Sequence, residues 1–476
     1  MEGRNGISED WLSLWMGLFI FVLGLGLFVG VDILGWGIKT NVWLDITKAL
    51  NPISGDLKAM PGITSLFLTY IFLLVITEIG AIAMGANVGR FMIGFTLVFW
   101  IGYACWLTGH YAYIAATDAG KMGIGWSLRL TGEAGFIVAL MVGLIVGNFF
   151  PRFAGVLQEA TRPELYIKTA IVIMGAGLGV KAAGAAGLAS AVMFRGLCAI
   201  IEAYLIYWAV VYFIARKYFK FSREWAAPLA SGISICGVSA AIATGGAIRA
   251  RPVVPIMVSS LVVIFAVVEL LILPFLAQTF LWTEPMVAGA WMGLAVKTDG
   301  AAVASGAIVD SLIRAKALVA QGISYKEGWM LMTATTVKIF IDIFIGVWAF
   351  ILAVIWCAKI ECTGGRVRAM EIWERFPKFV LGYALTFFFM LFICLAFPGV
   401  MKTAKAATAQ MDVFRVLFFV LTFFTIGVVS NFKKLWEEGI GKLAAVYVLC
   451  LFGFIIWIGL LISWIFFHGV KPPLAG

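Results

Sequence analysis

Stretches of about 20 apolar residues, each long enough to cross a bilayer, recur from one end of the chain to the other. We read thirteen of them, at residues 11–31, 62–84, 89–115, 130–150, 167–186, 196–215, 225–248, 253–276, 286–308, 330–356, 379–397, 413–430 and 443–467. No other feature constrains the fold as much. Backbone inside lipid must satisfy its own hydrogen bonds, so runs of this length are helices. Only 13% of the 476 residues are charged, and the mean hydropathy is +1.03. Soluble domains carry about 25% charged residues, and this chain could not cover a soluble surface. The expected fold class is an all-α polytopic membrane protein. The run at 11–31 lacks a small-residue cleavage pattern, so no cleaved signal is expected.

The polar pieces are short. The longest are 39–61, 311–328 and 358–378. The last is the expected break between two structural halves. That gives three parts: added N-terminal segments at 1–88, a first core part at 89–357, and closing segments at 358–476. Prolines 61, 151, 252, 285 and 398 stand at span ends, where a missing N–H costs least. The net charge of +10 sits in the loops. It suits anchoring to anionic lipid, and the loop tally leans to a cytoplasmic N-terminus in a bacterial-type inner membrane. The same field would favour an anionic substrate. No basic run is interleaved with aromatics, so nucleic acid is not an expected partner.

Two stretches break the pattern. Residues 231–246 read SGISICGVSAAIATGG, and twelve of these sixteen are Gly, Ala, Ser, Thr or Cys. Residues 293–306 read GLAVKTDGAAVASG and carry Lys297 and Asp299 within an apolar run. Small residues serve tight helix packing, or they permit a helix to break in mid-membrane and present its N–H groups to a substrate. Two such stretches in one chain favour the second use. The runs at 225–248 and 286–308 are therefore expected to be broken or re-entrant. Gly232 and Gly237 would permit a break, Ser234 and Ser239 would donate hydroxyls, and Cys236 would line the pocket.

Charge at bilayer depth usually faces a cavity or a partner. Lys297 and Asp299 stand two apart, so they pair only if the backbone is not a regular helix. Otherwise they snorkel from a span end. Lys338 and Asp342, one turn apart in TATTVKIFID, are either a neutral structural pair or part of a site. Glu78 and Glu133 read as interfacial, whereas Glu202 and Glu269 lie deeper in their runs. Lys168 opens a span and is read either as a snorkelling residue or as part of a relay. The substrate-binding candidates are Ser234, Cys236, Gly237, Ser239, Lys297, Thr298, Asp299, Ser305 and Lys338. The coupling or relay candidates are Glu202, Glu269, Asp342 and Lys168.

The chain is not expected to be an enzyme. It has no HExxH, GxSxG, nucleotide-binding loop or paired CxxC. With only His110 and His468, a zinc site of the usual type is not expected. The seven cysteines are scattered, and Cys357 and Cys362 fit no metal or redox spacing. No cofactor is expected beyond a coupling ion, H⁺ or Na⁺.

At residues 232–244, GISICGVSAAIAT, the chain resembles the YeiH-like family of membrane proteins, which carries the label of sulfate export. Ser234, Ile235, Cys236 and Gly237 stand as that family has them, followed by Ala240, Ala241 and Ala243. IVGNFFP at 145–151, Lys168 and Lys338 add to the likeness, which covers roughly residues 89 to 467. One departure is clear. Where that family has His-Glu in an HEVAQ-like stretch, this chain has Lys297 and Thr298, then Asp299. A fixed cation thus replaces a titratable ring.

The resemblance implies a relation to bile-acid and cation/proton-antiporter-like transporters. It implies inverted five-helix repeats, broken crossing helices, and a scaffold and core that move as an elevator. The function it implies is secondary transport of a small anion such as sulfate, sulfite, a sulfonate or a carboxylate, in a protein that could dimerise. A cation/proton antiporter is the alternative. A membrane-embedded redox subunit and a scaffold that binds nothing are the remaining rivals.

Overall fold

The computed structural model describes residues 7–116, 119–128, 130–132, 134–251, 253–359, 373, 376–430 and 441–475. Glu133, Pro252, Cys362, the side chain of Cys357 and most of the 358–378 piece lie outside the described residues. The described chain is dominated by helices. Ten are long and apolar enough to cross a membrane. A bent pair, Ala134–Phe149 with Pro151–Ala160 at 116°, would make eleven. These account for all the expected spans but two. The exceptions, at 225–248 and 286–308, are pairs of shorter helices with a break between them.

The helices form two compact units, each discontinuous in sequence. One joins Met1–Leu188 to Lys378–Val429, the other Ala189–Pro377 to Ser430–Gly476.

In the first unit, Pro163–Ala183 is the central helix, packed by Glu9–Gly24, Lys378–Ala396 and Met401–Val429. Its Pro163 occupies the first turn, where an absent N–H costs little. Ser8 caps Glu9–Gly24 and Asn87 caps Val88–Gly109, each accepting a bond from a first-turn N–H. The Thr386 hydroxyl bonds the Val172 carbonyl at 2.8 Å, joining two of these helices. A short antiparallel hairpin pairs Ile38–Thr40 with Leu50–Pro52.

In the second unit, Trp329–Ile343 packs against both Pro285–Ala295 and Asp299–Gln321. The small residues of the 285–306 stretch allow this. A Cβ on Gly293 would stand 2.6 Å from the Ala334 carbonyl, so only glycine lets the backbones meet. Asp310 anchors the same helix at its start, accepting from the N–H groups of Gly328 and Met330 and pairing with Arg314 at 2.8 Å. Val253–Phe280 packs on Asp299–Gln321, and Ile456–Phe467 on Pro285–Ala295.

Candidate functional site

Both odd sequence stretches are helix breaks, and both lie in the second unit. The first helix runs Arg223–Ser234, stops, and resumes as Val238–Ala247. Its break turns on Gly237 at φ +66, ψ −109, a conformation L-residues rarely adopt. Thr244 donates to Ser231 at 2.7 Å and so pins the two halves together. The second helix runs Pro285–Ala295, passes through extended Val296, and resumes as Asp299–Gln321. Thr298 caps that restart by accepting from the Ala301 N–H at 3.2 Å.

The two breaks touch. A Cβ on Gly237 would stand 3.1 Å from Cγ2 of Thr298 and 2.8 Å from Val262. Lys338, one face of Trp329–Ile343, joins them. Its ammonium donates to the Ile235 carbonyl at 2.8 Å and the Lys297 carbonyl at 3.0 Å, and lies 3.7 Å from Asp299. The physical reason is plain. A helix that stops inside the protein leaves carbonyls without partners and a partial negative charge at its end. An ammonium has three donors and full positive charge. Here one lysine serves the carbonyl that ends the first half of one interrupted helix and a carbonyl in the extended linker of the other.

Lys297 is placed differently from the simplest sequence reading. It is 0% exposed, so it does not snorkel. Its ammonium donates back to the Leu294 carbonyl and sits over the Tyr207 ring, 4.4 Å from the centroid. Its backbone N–H donates to Glu269 at 2.9 Å, and the other oxygen of Glu269 accepts from the Tyr447 hydroxyl at 2.9 Å. Glu269 thereby holds the second break from one side while Lys338 holds it from the other. The backbone between Lys297 and Asp299 is not a regular helix, and Asp299 lies beside Lys338.

Asp342 follows Lys338 by one turn. Ligand atoms of Cys236, Asp299 and Asp342 all lie within 4.8 Å of one another, a spacing that would fit a cation. Ser234 and Ser305 are fully buried, and neither hydroxyl has a hydrogen-bond partner among the described residues. Ser239 is half-buried on the first turn after the break. Glu202 is buried and in the field of Lys297. Lys168 belongs to the other unit, where it pairs with Asp10 at 2.7 Å and Glu164 at 3.3 Å.

Sequence reading passed over Tyr207, Tyr447 and Asp310. A tyrosine within an apolar run, or an aspartate just past the end of one, carries no local signal. Its partner becomes visible only when distant helices meet.

The family described as conserved hypothetical protein 698 matches residues 127–446 of this chain. The chain belongs to that family. It is 43% identical over 475 residues to a UPF0324 membrane protein of Nitrosomonas europaea, covering 98% of this chain and 97% of that one. An uncharacterized protein of Archaeoglobus fulgidus is 50% identical over 165 residues, 30% of this chain and 88% of its own. A UPF0324 membrane protein of Nitratidesulfovibrio vulgaris is 29% identical over 439 residues, 90% of this chain and 67% of its own. No solved structure matches the chain. Relatives named as membrane proteins and ten apolar helices together make this family member an integral membrane protein.

Proposed function

We propose that the chain is a secondary transporter of a small anion, working by alternating access in the inner membrane. The observation that supports this most is the meeting of two interrupted helices in a buried site, bridged by Lys338. An uninterrupted helix would serve better if the segments were only structural. Interrupted ones keep polar backbone available inside the membrane, as transport sites require. The anion would lie at the start of Val238–Ala247, whose Gly237 cap offers no side-chain oxygen to the first N–H groups. The unsatisfied hydroxyls of Ser234 and Ser305, with Ser239, would complete its shell. The unit 189–377 with 430–476 would be the transporting core and the other unit the scaffold, in line with inverted repeats and an elevator motion. No step in this reading is enzymatic.

One observation favours a second reading. Around the breaks, Lys297, Lys338, Glu202, Glu269, Asp299 and Asp342 are each 3% exposed or less; Asp310 is as buried but is paired with Arg314. Two cations against four carboxyls leave this cluster a net charge of −2 if all are ionised. A negative cluster suits a bound proton or Na⁺, so a cation/proton antiporter would use Asp299 and Asp342 as its ligands. An anion carrier would use the same groups to bring protons along.

A thermal-shift screen of purified protein separates these. The panel is sulfate, sulfite, taurine, isethionate, sulfoacetate, malonate, bicarbonate and chloride, with and without Na⁺. A ligand at 100 times its dissociation constant stabilises by about 2.7 kcal/mol when it binds only the folded state. The expected result is a shift with one anion that Ser234→Ala abolishes. A shift with Na⁺ alone would select the antiporter and overturn the anion reading.

A further inference from the structure

Glu202 holds neither helix break, and its surroundings are unusual. Its side chain is 0% exposed, and neither carboxyl oxygen has a hydrogen-bond partner among the described residues. It opens a six-residue π-helical turn, Glu202–Tyr207. Such turns are rare and cluster at functional positions. A π-turn pairs residues five apart, which brings Glu202 and Tyr207 onto one face. A second π-helical turn, Leu451–Ile455, lies opposite, and the Tyr207 hydroxyl donates to the Ile455 carbonyl at 2.8 Å. Both side chains border Gly459. A Cβ there would stand 2.8 Å from the Tyr207 oxygen and 3.4 Å from Oε1 of Glu202.

The tyrosine proton is thus committed to Ile455, and what remains on its oxygen is an acceptor. An ionised carboxylate in this place would be buried with no hydrogen bond and only the Lys297 ammonium to offset its charge, which is costly. A neutral carboxyl could donate to that oxygen and extend the chain from Glu202 through Tyr207 to Ile455. The other carboxyls of the cluster differ. Glu269 accepts two bonds and Asp299 stands beside an ammonium.

We propose that Glu202 is a proton-binding site, protonated in the conformation described here, and that its proton is the coupling ion of transport. Release breaks the carboxyl O–H bond and passes the proton to water. The Lys297 ammonium, held over the Tyr207 ring and in the field of Glu202, then neutralises the carboxylate left behind. The ionisable groups facing Glu202 are Lys297, Tyr207 and the Cys198 thiol. Lys338 and Asp342 lie on the helix packed against 198–201, and Ile456–Phe467 carries no ionisable group. The coupling role rests on the transport reading, but the proton site does not.

The test is infrared difference spectroscopy of the purified full chain between acidic and alkaline buffer. It needs no substrate, so its failure is distinct from a failure of the transport reading. The wild type should show the carbonyl stretch of a buried carboxylic acid that disappears on alkalinisation. Glu202→Gln should lose that band entirely. Tyr207→Phe should keep it at a shifted frequency, because the acceptor is gone. A band that persists in Glu202→Gln, or a wild type with no such band at any pH, overturns the proposal. The Tyr207→Phe spectrum guards against misfolding of the first variant, since an unshifted band there also contradicts the geometry.

Discussion

At the scale of single residues, Lys338 and Lys297 look alike in sequence and differ in what they do. Each is a lysine in an apolar run, flanked by an acid. Lys338 spends its donors on two backbone carbonyls that no helix can satisfy. Replacing it by Met leaves those carbonyls and Asp299 without their cation. Breaking a buried pair in this way costs about 3–5 kcal/mol. We expect Lys338→Met to lower the thermal midpoint of purified protein sharply, and Lys338→Arg not to restore it, because a planar fork does not match three diverging acceptors. A midpoint unchanged in Lys338→Met would show that the bridge is not structural. Lys297 instead donates to its own helix and to an aromatic face. Sequence marked both as unusual. It could not tell which ammonium meets the breaks, since that depends on the face each helix turns to the other.

At the scale of elements, breaks at 235–237 and 296–298 were legible as small-residue stretches in otherwise greasy runs. The two uses weighed for such stretches, close packing and interruption, turn out to coexist. Gly237 makes a turn, whereas Gly293 lets the interrupted helix lie against the Trp329–Ile343 helix that brings Lys338. The substitutions Gly237→Ala and Gly293→Val should therefore fail for different reasons. The first forces an L-residue into a sparsely populated positive-φ conformation, which costs about 1–3 kcal/mol, and adds a clash with Val262. The second pushes two helices apart and should shift the Lys338 bridge with them. Thermal unfolding of the two variants with and without Lys338→Met checks this. Gly293→Val and Lys338→Met should be non-additive, while independent effects would show that the packing does not position the lysine. The π-helical turns at 202–207 and 451–455 were not legible at all. Nothing in local composition separates a five-residue hydrogen-bond repeat from a four-residue one.

At the scale of the whole molecule, helix content and membrane residence follow from hydropathy alone, because lipid leaves the backbone few choices. The division into units does not. Each unit is assembled from two stretches far apart in sequence, and a chain read from end to end does not show which segments return to which. In the proposed transporter the substrate would be a property of this scale too, since it would depend on how the cluster of two lysines and four carboxyls is balanced.

The most direct measurement is flux into proteoliposomes holding the purified protein, with labelled sulfate, sulfite, taurine and malonate offered in turn under an imposed pH gradient. Uptake of one of these anions should follow the gradient and fall to the level of empty liposomes in Ser234→Ala. Uptake of none of them, with Na⁺ or proton movement occurring in their absence, would contradict the anion reading.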